Sequence, residues 1–342
     1  MHVNVRFRTL ACALGFVALG MAPLHGQAII SNGTIKLGVR EFGSLNTPGA
    51  VNSVENETVV GVRFLTGGKE YESTADGCKC EGWGAGVAGG TSDGVFGQSS
   101  VDNGGDVGVT GQSFASTATT ATSVVTIGGV MRVTHEYLPS SSPNLYAVKV
   151  TIENLTGSEL GVGTHGIRYR RVMDWDIEPT AFSEFVTLHG TGATNLLHTS
   201  DDGFEDASPF ASLGTGLCAP VDADFANQGP CDHGALFDFG FPALAAHDSR
   251  VFETFYGAAA TNTDMLAALS AVGAEVFTTA HCNPARDACT AGDANRTFAY
   301  GFKGVGGTPL PPSTTTPEPI SMVLMGTGLV GLAAARRRRQ QG

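Results

Sequence analysis

Leu145-Tyr146-Ala147-Val148-Lys149-Val150-Thr151-Ile152-Glu153 decides the fold class. Tyr146, Val148, Val150 and Ile152 fall on one side of an extended chain, and Lys149, Thr151 and Glu153 fall on the other. Successive side chains of a strand point to opposite faces, so this pattern is a strand with one face on a core and one towards solvent or a groove. A longer stretch, 167–177, repeats it. Ile167, Tyr169, Arg171, Met173, Trp175 and Ile177 share one face, while Arg168, Arg170, Asp174, Asp176 and Glu178 share the other.

Working outward, short β-branched and aromatic runs separated by Gly, Asn, Asp and Ser clusters predict further strands at 34–39, 59–64, 123–127, 131–137, 184–188, 235–239, 250–256 and 297–302. With 47 glycines and only 15% charged residues, the composition also favours an all-β chain. Enough half-apolar strands are present for two sheets to pack face to face, which predicts a large antiparallel β-sandwich. One helix is expected. Asn262 or Thr263 caps it, Asp264 lies in its first turn, and Met265, Leu266, Leu269, Val272 and Val276 recur at helical spacing, with Gly273 weakening its middle. It reads as a crossover packed on the sandwich. The glycine-dense stretch 79–111, around Trp83 and Gly105, reads as a long surface loop or a pair of short edge strands. No internal repeat is found.

The chain is acidic, with 32 Asp+Glu against 20 Lys+Arg. Arg6, Arg8 and Arg336 to Arg339 belong to the two ends, so the body between them is more acidic still. Such a surface suits solubility or cation binding and argues against nucleic acid as a partner.

Residues 1–28 read as a secretory signal peptide. Arg6 and Arg8 form its basic start, 9–22 is the apolar stretch, and Gly26-Gln27-Ala28 puts small residues where the peptidase reads them. Past the leader, which contains Cys12, the cysteines are Cys78, Cys80, Cys218, Cys231, Cys282 and Cys289. An even set in an exported chain predicts disulfides. The turn-rich intervals favour Cys218 with Cys231 and Cys282 with Cys289, leaving Cys78 and Cys80 as a C-x-C pair. Zinc is the rival, but Cys78-Lys79-Cys80 is tighter than a zinc knuckle.

Three carboxylates form the candidate site in the body. Asp174, Asp176 and Glu178 lie at i, i+2 and i+4, roughly 6.5–7 Å apart along a strand face. That spacing suits a Ca²⁺ site, a glycan-binding face or an inverting glycosidase pair. The plainer alternative is that Arg168 and Arg170 neutralise them. Asp201-Asp202-Gly203-Phe204-Glu205-Asp206 and Asp222-Ala223-Asp224 read as solvated acidic loops, with Ca²⁺ as the alternative. Gly90-Thr91-Ser92-Asp93-Gly94 has the letters of a nucleophile elbow without the strand before it and helix after it that the chemistry needs. The histidines are scattered.

The C-terminal end has three parts in order. Pro317-Glu318-Pro319 is followed by apolar residues 320–335 and then Arg336, Arg337, Arg338 and Arg339. A helix over 320–335 would be roughly 24 Å long, enough to span once its flanks reach into the headgroups. The arginines act as a cytoplasmic stop, placing the body outside. Before it, 308–316, with Pro309, Pro311 and Pro312, reads as a stiff linker.

This tail resembles the PEP-CTERM sorting signal of Gram-negative, exopolysaccharide-producing bacteria. The resemblance implies an exosortase as partner, a membrane-embedded cysteine protease or transpeptidase that reads Pro317, Glu318 and Pro319. The opening of the body, Ser31-Asn32-Gly33-Thr34-Ile35-Lys36-Leu37-Gly38-Val39 followed by Gly43-Ser44-Leu45, resembles the first hairpin of galactose-mutarotase-like and glucoamylase-associated β-sandwiches. The expected organisation is a signal peptide at 1–28, an exported sandwich at 29–307, a linker at 308–316 and a sorting signal at 317–342. The expected function is a non-enzymatic protein of the cell surface or exopolymer matrix, transiently anchored in the membrane. A carbohydrate-binding or carbohydrate-active domain is the rival, with exopolysaccharide as the ligand class. Peptidase cleavage after Ala28 makes Ile29 the first residue of the exported protein. N-terminal sequencing checks this, and a retained Met1 would overturn it.

Overall fold

The stretch that fixes the fold class is a strand, Leu145–Asn154, inside a nine-stranded antiparallel sheet. A computed structural model describes residues 26–311. Most of the leader, Pro317-Glu318-Pro319, the apolar stretch 320–335 and Arg336 to Arg339 lie outside the described residues. Across the sheet the order is Phe225–Cys231, Glu184–His189, Val276–His281, Thr297–Lys303, Ser249–Ala259, Leu145–Asn154, Met131–Pro139, Ala121–Ile127 and Val109–Ser116. Tyr146, Val148, Val150 and Ile152 are buried as the alternation requires, and Lys149 is exposed.

A five-stranded sheet faces it, in the order Leu196–Ser200, Gly234–Phe241, Ile167–Asp174, Glu81–Val87 and Phe96–Ser100. The inner faces meet through aromatic rings. Phe237 and Phe239 lie 4.9 and 4.7 Å from Phe302, centroid to centroid, and Tyr169 lies 4.9 Å from Phe252. A β-sandwich is therefore the architecture of the body. The Asn32-Gly33 turn forms the expected first hairpin, Ala28–Ser31 against Ile35–Val39, within a separate four-stranded sheet. Asn32 Oδ1 accepts from the amides of Thr34 and Ile35, which closes that turn. The hairpin begins at Ala28, so the expected leader junction falls at the first residue of its first strand.

Arg171 sits on the core face, as its place in the alternation requires, and it is not alone. Its Nε donates to Glu81 Oε1 at 2.7 Å, and both side chains are wholly buried. Tyr256, from the nine-stranded sheet, donates its hydroxyl to the same oxygen at 2.8 Å. The Leu45 amide donates to Glu81 Oε2 at 2.6 Å. The guanidinium also lies 5.4 Å from the centroid of the Tyr256 ring. One ion pair thus ties the two sheets and the segment around Leu45 together.

The glycine-dense stretch is neither a surface loop nor wholly edge strands. Glu81–Val87 is an interior strand, buried at every position, whereas Phe96–Ser100 and Val109–Ser116 lie at sheet edges. Glu81, Trp83, Ala85 and Val87 alternate with Gly82, Gly84 and Gly86. A Cβ on Gly84 would lie 2.1 Å from the Ala207 carbonyl oxygen, because the segment around Ala207 is laid directly on this face. Glycine is needed there for close approach.

The helix is Asn262–Val272 and its cap is Thr261, whose hydroxyl accepts from the Asp264 amide at 3.1 Å. Gly273, at φ +73°, ends the helix instead of weakening its middle, and Val276 opens the next strand. Met265, Leu269 and Val272 pack with Phe255, Phe277 and Ala299. The helix crosses from Ser249–Ala259 to Val276–His281, which flank Thr297–Lys303 in the sheet. A second short helix, Ala291–Asn295, was not legible in the apolar pattern. Among the described residues no helix is long and apolar enough to cross a membrane.

Removing one partner of a buried ion pair strands the other charge. Arg171→Met should cost about 3–5 kcal/mol. Adding Glu81→Leu should recover much of that loss. Urea unfolding of the two variants checks this, and equal instability of single and double variant would refute the pairing as the cause.

Candidate functional site

Strand Ile167–Asp174 ends at Asp174, but the chain stays clamped beyond it. The Asp174 amide donates to Cys80 O at 2.8 Å, Trp175 to His233 O at 3.0 Å, Asp176 to Ser73 O at 2.8 Å and Glu178 to Glu72 O at 3.3 Å. Trp175 takes the core side, with its indole nitrogen 3.4 Å from Thr278 Oγ1. Asp174 and Asp176 therefore share the other side.

That side is not a solvent-facing groove. Asp174, Asp176 and Glu178 are all buried, at 1%, 0% and 0% exposure. The segment 201–210 roofs this face of the sheet. Asn103 holds the roof down, donating to the carbonyls of Gly203 and Glu205 at 2.8 Å each. Val172, Ala207 and Leu236 form a small apolar cluster beneath it. Carboxylates so covered present no surface to a glycan.

The three predicted residues do not act as one group. Glu178 Oε1 accepts from Asn52 Nδ2 at 2.5 Å, and its Oε2 accepts from the Glu72 amide at 2.7 Å. Glu72 is itself held by Arg63 Nε at 3.1 Å and by the amides of Gly61 and Val62. Burial pushes the Glu178 carboxyl up to about 7 despite these donors. Glu178 is thus a brace between two loops.

Asp174 and Asp176 have different neighbours, Glu184 and Asp232. Glu184 opens strand Glu184–His189 and is paired across the sheet with Cys231, next to Asp232. Burial raises all four carboxyls above the ordinary range, and repulsion adds to it: Asp232 acts on Asp174, Asp174 and Glu184 on Asp176, and Asp174 and Asp232 on Glu184, which reaches about 9. Asp174 Oδ1, both oxygens of Asp176, Glu184 Oε2 and Asp232 Oδ1 are buried without a hydrogen-bond partner. Arg170 does not neutralise them. It makes a two-pronged pair with Asp238, at 2.7 and 2.8 Å, and donates to Asp206 O. No ion pair to Asp174, Asp176, Glu184 or Asp232 occurs among the described residues, and Arg168 Nε is itself unpartnered.

One sulfur lies beside the pair. Cys78 Sγ is 3.5 Å from Asp174 Oδ2, and it offers an atom within 4.8 Å of ligand atoms on both Asp174 and Asp176. Cys78 is joined to Cys80, and Cys218–Cys231 and Cys282–Cys289 are likewise at bonding distance, with Cα separations of 5.1, 6.4 and 6.1 Å. In the disulfide, Cys78 is no thiolate and gives no zinc-type ligand.

The other acidic runs find local partners. Asp201 meets His233 at 2.9 Å and accepts the amides of Leu217, Cys218 and Ala219. Asp222 pairs with His198 and Asp224 with His189, each at 2.9 Å. Gly90–Ser92 is a single helical turn with no buried residue, and the strand Phe96–Ser100, not an α-helix, follows it. Glu184 and Asp232 escaped the sequence reading because cross-strand pairing, not spacing, brings them to Asp174. The Asp beside Cys231 was the available signal.

Residues 315–339 match the PEP-CTERM protein-sorting motif, covering Pro317-Glu318-Pro319, the apolar stretch and the arginines. No curated protein matches the chain.

Loss of the Glu178 carboxylate orphans the Asn52 amide and the Glu72 N–H. Glu178→Ala should therefore cost about 1–3 kcal/mol for each buried donor left unpaired. Denaturant unfolding measures it, and a change below 0.5 kcal/mol would mean that water replaces the carboxylate.

Proposed function

We propose that the chain is an exported protein delivered by its C-terminus to an exosortase, with the sandwich as cargo that supplies no catalytic group. The match of residues 315–339 to the sorting motif carries this reading. Three features support it. The leader and the arginine stop agree in placing the body outside the cytoplasm. The cysteines pair as expected of a chain that matures in an oxidising compartment. The carboxylates that would serve a glycosidase lie under a roof. The destination is the cell surface or exopolymer matrix of a Gram-negative bacterium.

The tether between body and motif is shorter than the proline spacing implies. Leu310 donates its amide to Ala274 O at 3.0 Å, and Ser270 Oγ donates to Pro311 O at 2.6 Å, so the chain lies on the body as far as Pro311. Residues 312–316 then separate body from motif. Even fully extended they reach no more than about 20 Å.

Two prolines restrict the backbone on either side of Glu318 and present one carboxylate on an extended chain. If an enzyme buries that carboxylate against a charge partner, its loss is discriminated strongly. A residue outside the hydrocarbon barely alters insertion. Glu318→Ala should therefore insert normally but stay uncleaved, accumulating at full mature length in the membrane. Replacing Arg336 to Arg339 with Ala should instead disturb the stop and the orientation. Immunoblots of membrane and released fractions, in a host with the processing enzyme, distinguish the two. Release of Glu318→Ala at the wild-type level would leave only a plain anchor.

A further inference from the structure

We propose that Asp174, Asp176, Glu184 and Asp232 bind a divalent cation, calcium, inside the sandwich. The unpartnered oxygens carry the argument. Asp176 is wholly buried, and neither of its carboxylate oxygens accepts a hydrogen bond. One oxygen each on Asp174, Glu184 and Asp232 is in the same condition. Buried polar groups are almost always satisfied, and buried charges are paired or coordinate a metal. Asp174 and Asp176 offer ligand atoms within 4.8 Å of each other, Glu184 and Asp232 act on them electrostatically, and the nearby Arg170 is committed to Asp238.

Donor chemistry selects the ion. The free atoms are all carboxylate oxygens, which suit a hard cation. The Cys78 sulfur is held in a disulfide, so it does not turn the site towards zinc. Magnesium keeps several waters and demands near-octahedral order, whereas calcium accepts a flexible shell of carboxylates. This site lies beneath a roof and offers carboxylates in number.

The frame is built to hold ligands in place. Asp174 and Asp176 sit on a chain fixed by hydrogen bonds from their amides to Cys80 O and Ser73 O, next to the Cys78–Cys80 bridge. Glu184 is paired across the sheet with Cys231, and Asp232 directly follows that cysteine, beside the Cys218–Cys231 bridge. Gly77 closes over the pair. A Cβ there would lie 3.6 Å from Asp176 Oδ1 and 2.5 Å from the Phe182 ring, so a side chain would crowd Phe182. Beyond Phe182, the residues Glu55, Asp76, Asp287 and Arg286 line an open surface cavity.

The test uses the full-length chain purified in detergent, freed of metal with EGTA and titrated with calcium chloride. Calorimetry should show saturable binding, and the thermal midpoint should rise as the site fills. Asp176→Asn should weaken calcium affinity roughly tenfold or more, since carboxylate charge sets affinity in such sites. The decisive readout is a reversal of rank. Without metal, Asp176→Asn should unfold at a higher temperature than wild type, because it removes a buried carboxyl that must either take up a proton or stay ionised without a partner. In saturating calcium it should unfold at a lower one. Glu184→Gln should reverse in the same way, which guards against a folding defect particular to one variant. No response of the wild type to millimolar calcium overturns the proposal. So does an unchanged rank of both variants with and without it. Zinc binding that appears only after reduction of Cys78–Cys80 would overturn the choice of ion.

Discussion

Arg171 and Glu81 meet where water does not reach, and the geometry of the body depends on that meeting. Taking both charges out of water costs several kcal/mol for each, and their attraction offsets it only if geometry and extra hydrogen bonds are good. The Tyr256 hydroxyl and the Leu45 amide supply those bonds. Aromatic packing between the sheets tolerates sliding, but this pair does not. A slip of one residue would turn Arg171 to the outer face and leave Glu81 alone in the core. The cost of the pair is therefore also a penalty on wrong registers.

Register has consequences on the far side of the same strands. With Glu81 and Trp83 turned inward, Gly82, Gly84 and Gly86 must face outward. Their missing side chains let the segment around Ala207 lie on the sheet. That segment covers Arg170 and Asp174, which on an open sheet would be wet. Buried under it, Arg170 takes Asp238 in a two-pronged pair. Asp174 and Asp176 then lack the neighbour that alternation alone would have assigned to them. The core pair and the carboxylate cluster are two sides of one strand arrangement.

What could be read from the sequence follows from where each signal is stored. Alternation in 145–153 and 167–177 is local, and both stretches formed strands, the second ending at Asp174 with its outer face buried as well. Glu81–Val87 was hidden because glycine lowers strand propensity, while close approach of another backbone requires it there. The helix end at Gly273 was blurred by Val276, whose apolar side chain fits a helical period but belongs to the next strand. Asp174 and Asp176 were recognisable as a pair from spacing. Glu178, two residues further, was drawn away by Asn52 and the Glu72 amide, contacts distant in sequence. Glu184 and Asp232 reach the pair only through tertiary pairing, which no linear spacing encodes.

The sorting motif was legible for the opposite reason. Residues 315–339 match it as one contiguous run, so its order in sequence is its whole content. The body works differently, and on the proposed readings the two are linked by compartment. Disulfides form where thiols are oxidised. Calcium at extracellular levels fills sites of modest affinity that stay empty at cytosolic ones. Before export, unpaired cysteines would leave the segments around Asp174 and Asp232 unbraced. Without a cation the carboxylates would have to take up protons or repel one another on burial, and either opposes closure of the roof. After export, bridges and cation would act on the same two segments. The same cluster would thus oppose folding before translocation and favour it afterwards, so that final stability is reached on the side of the membrane where the sorting enzyme meets its substrate.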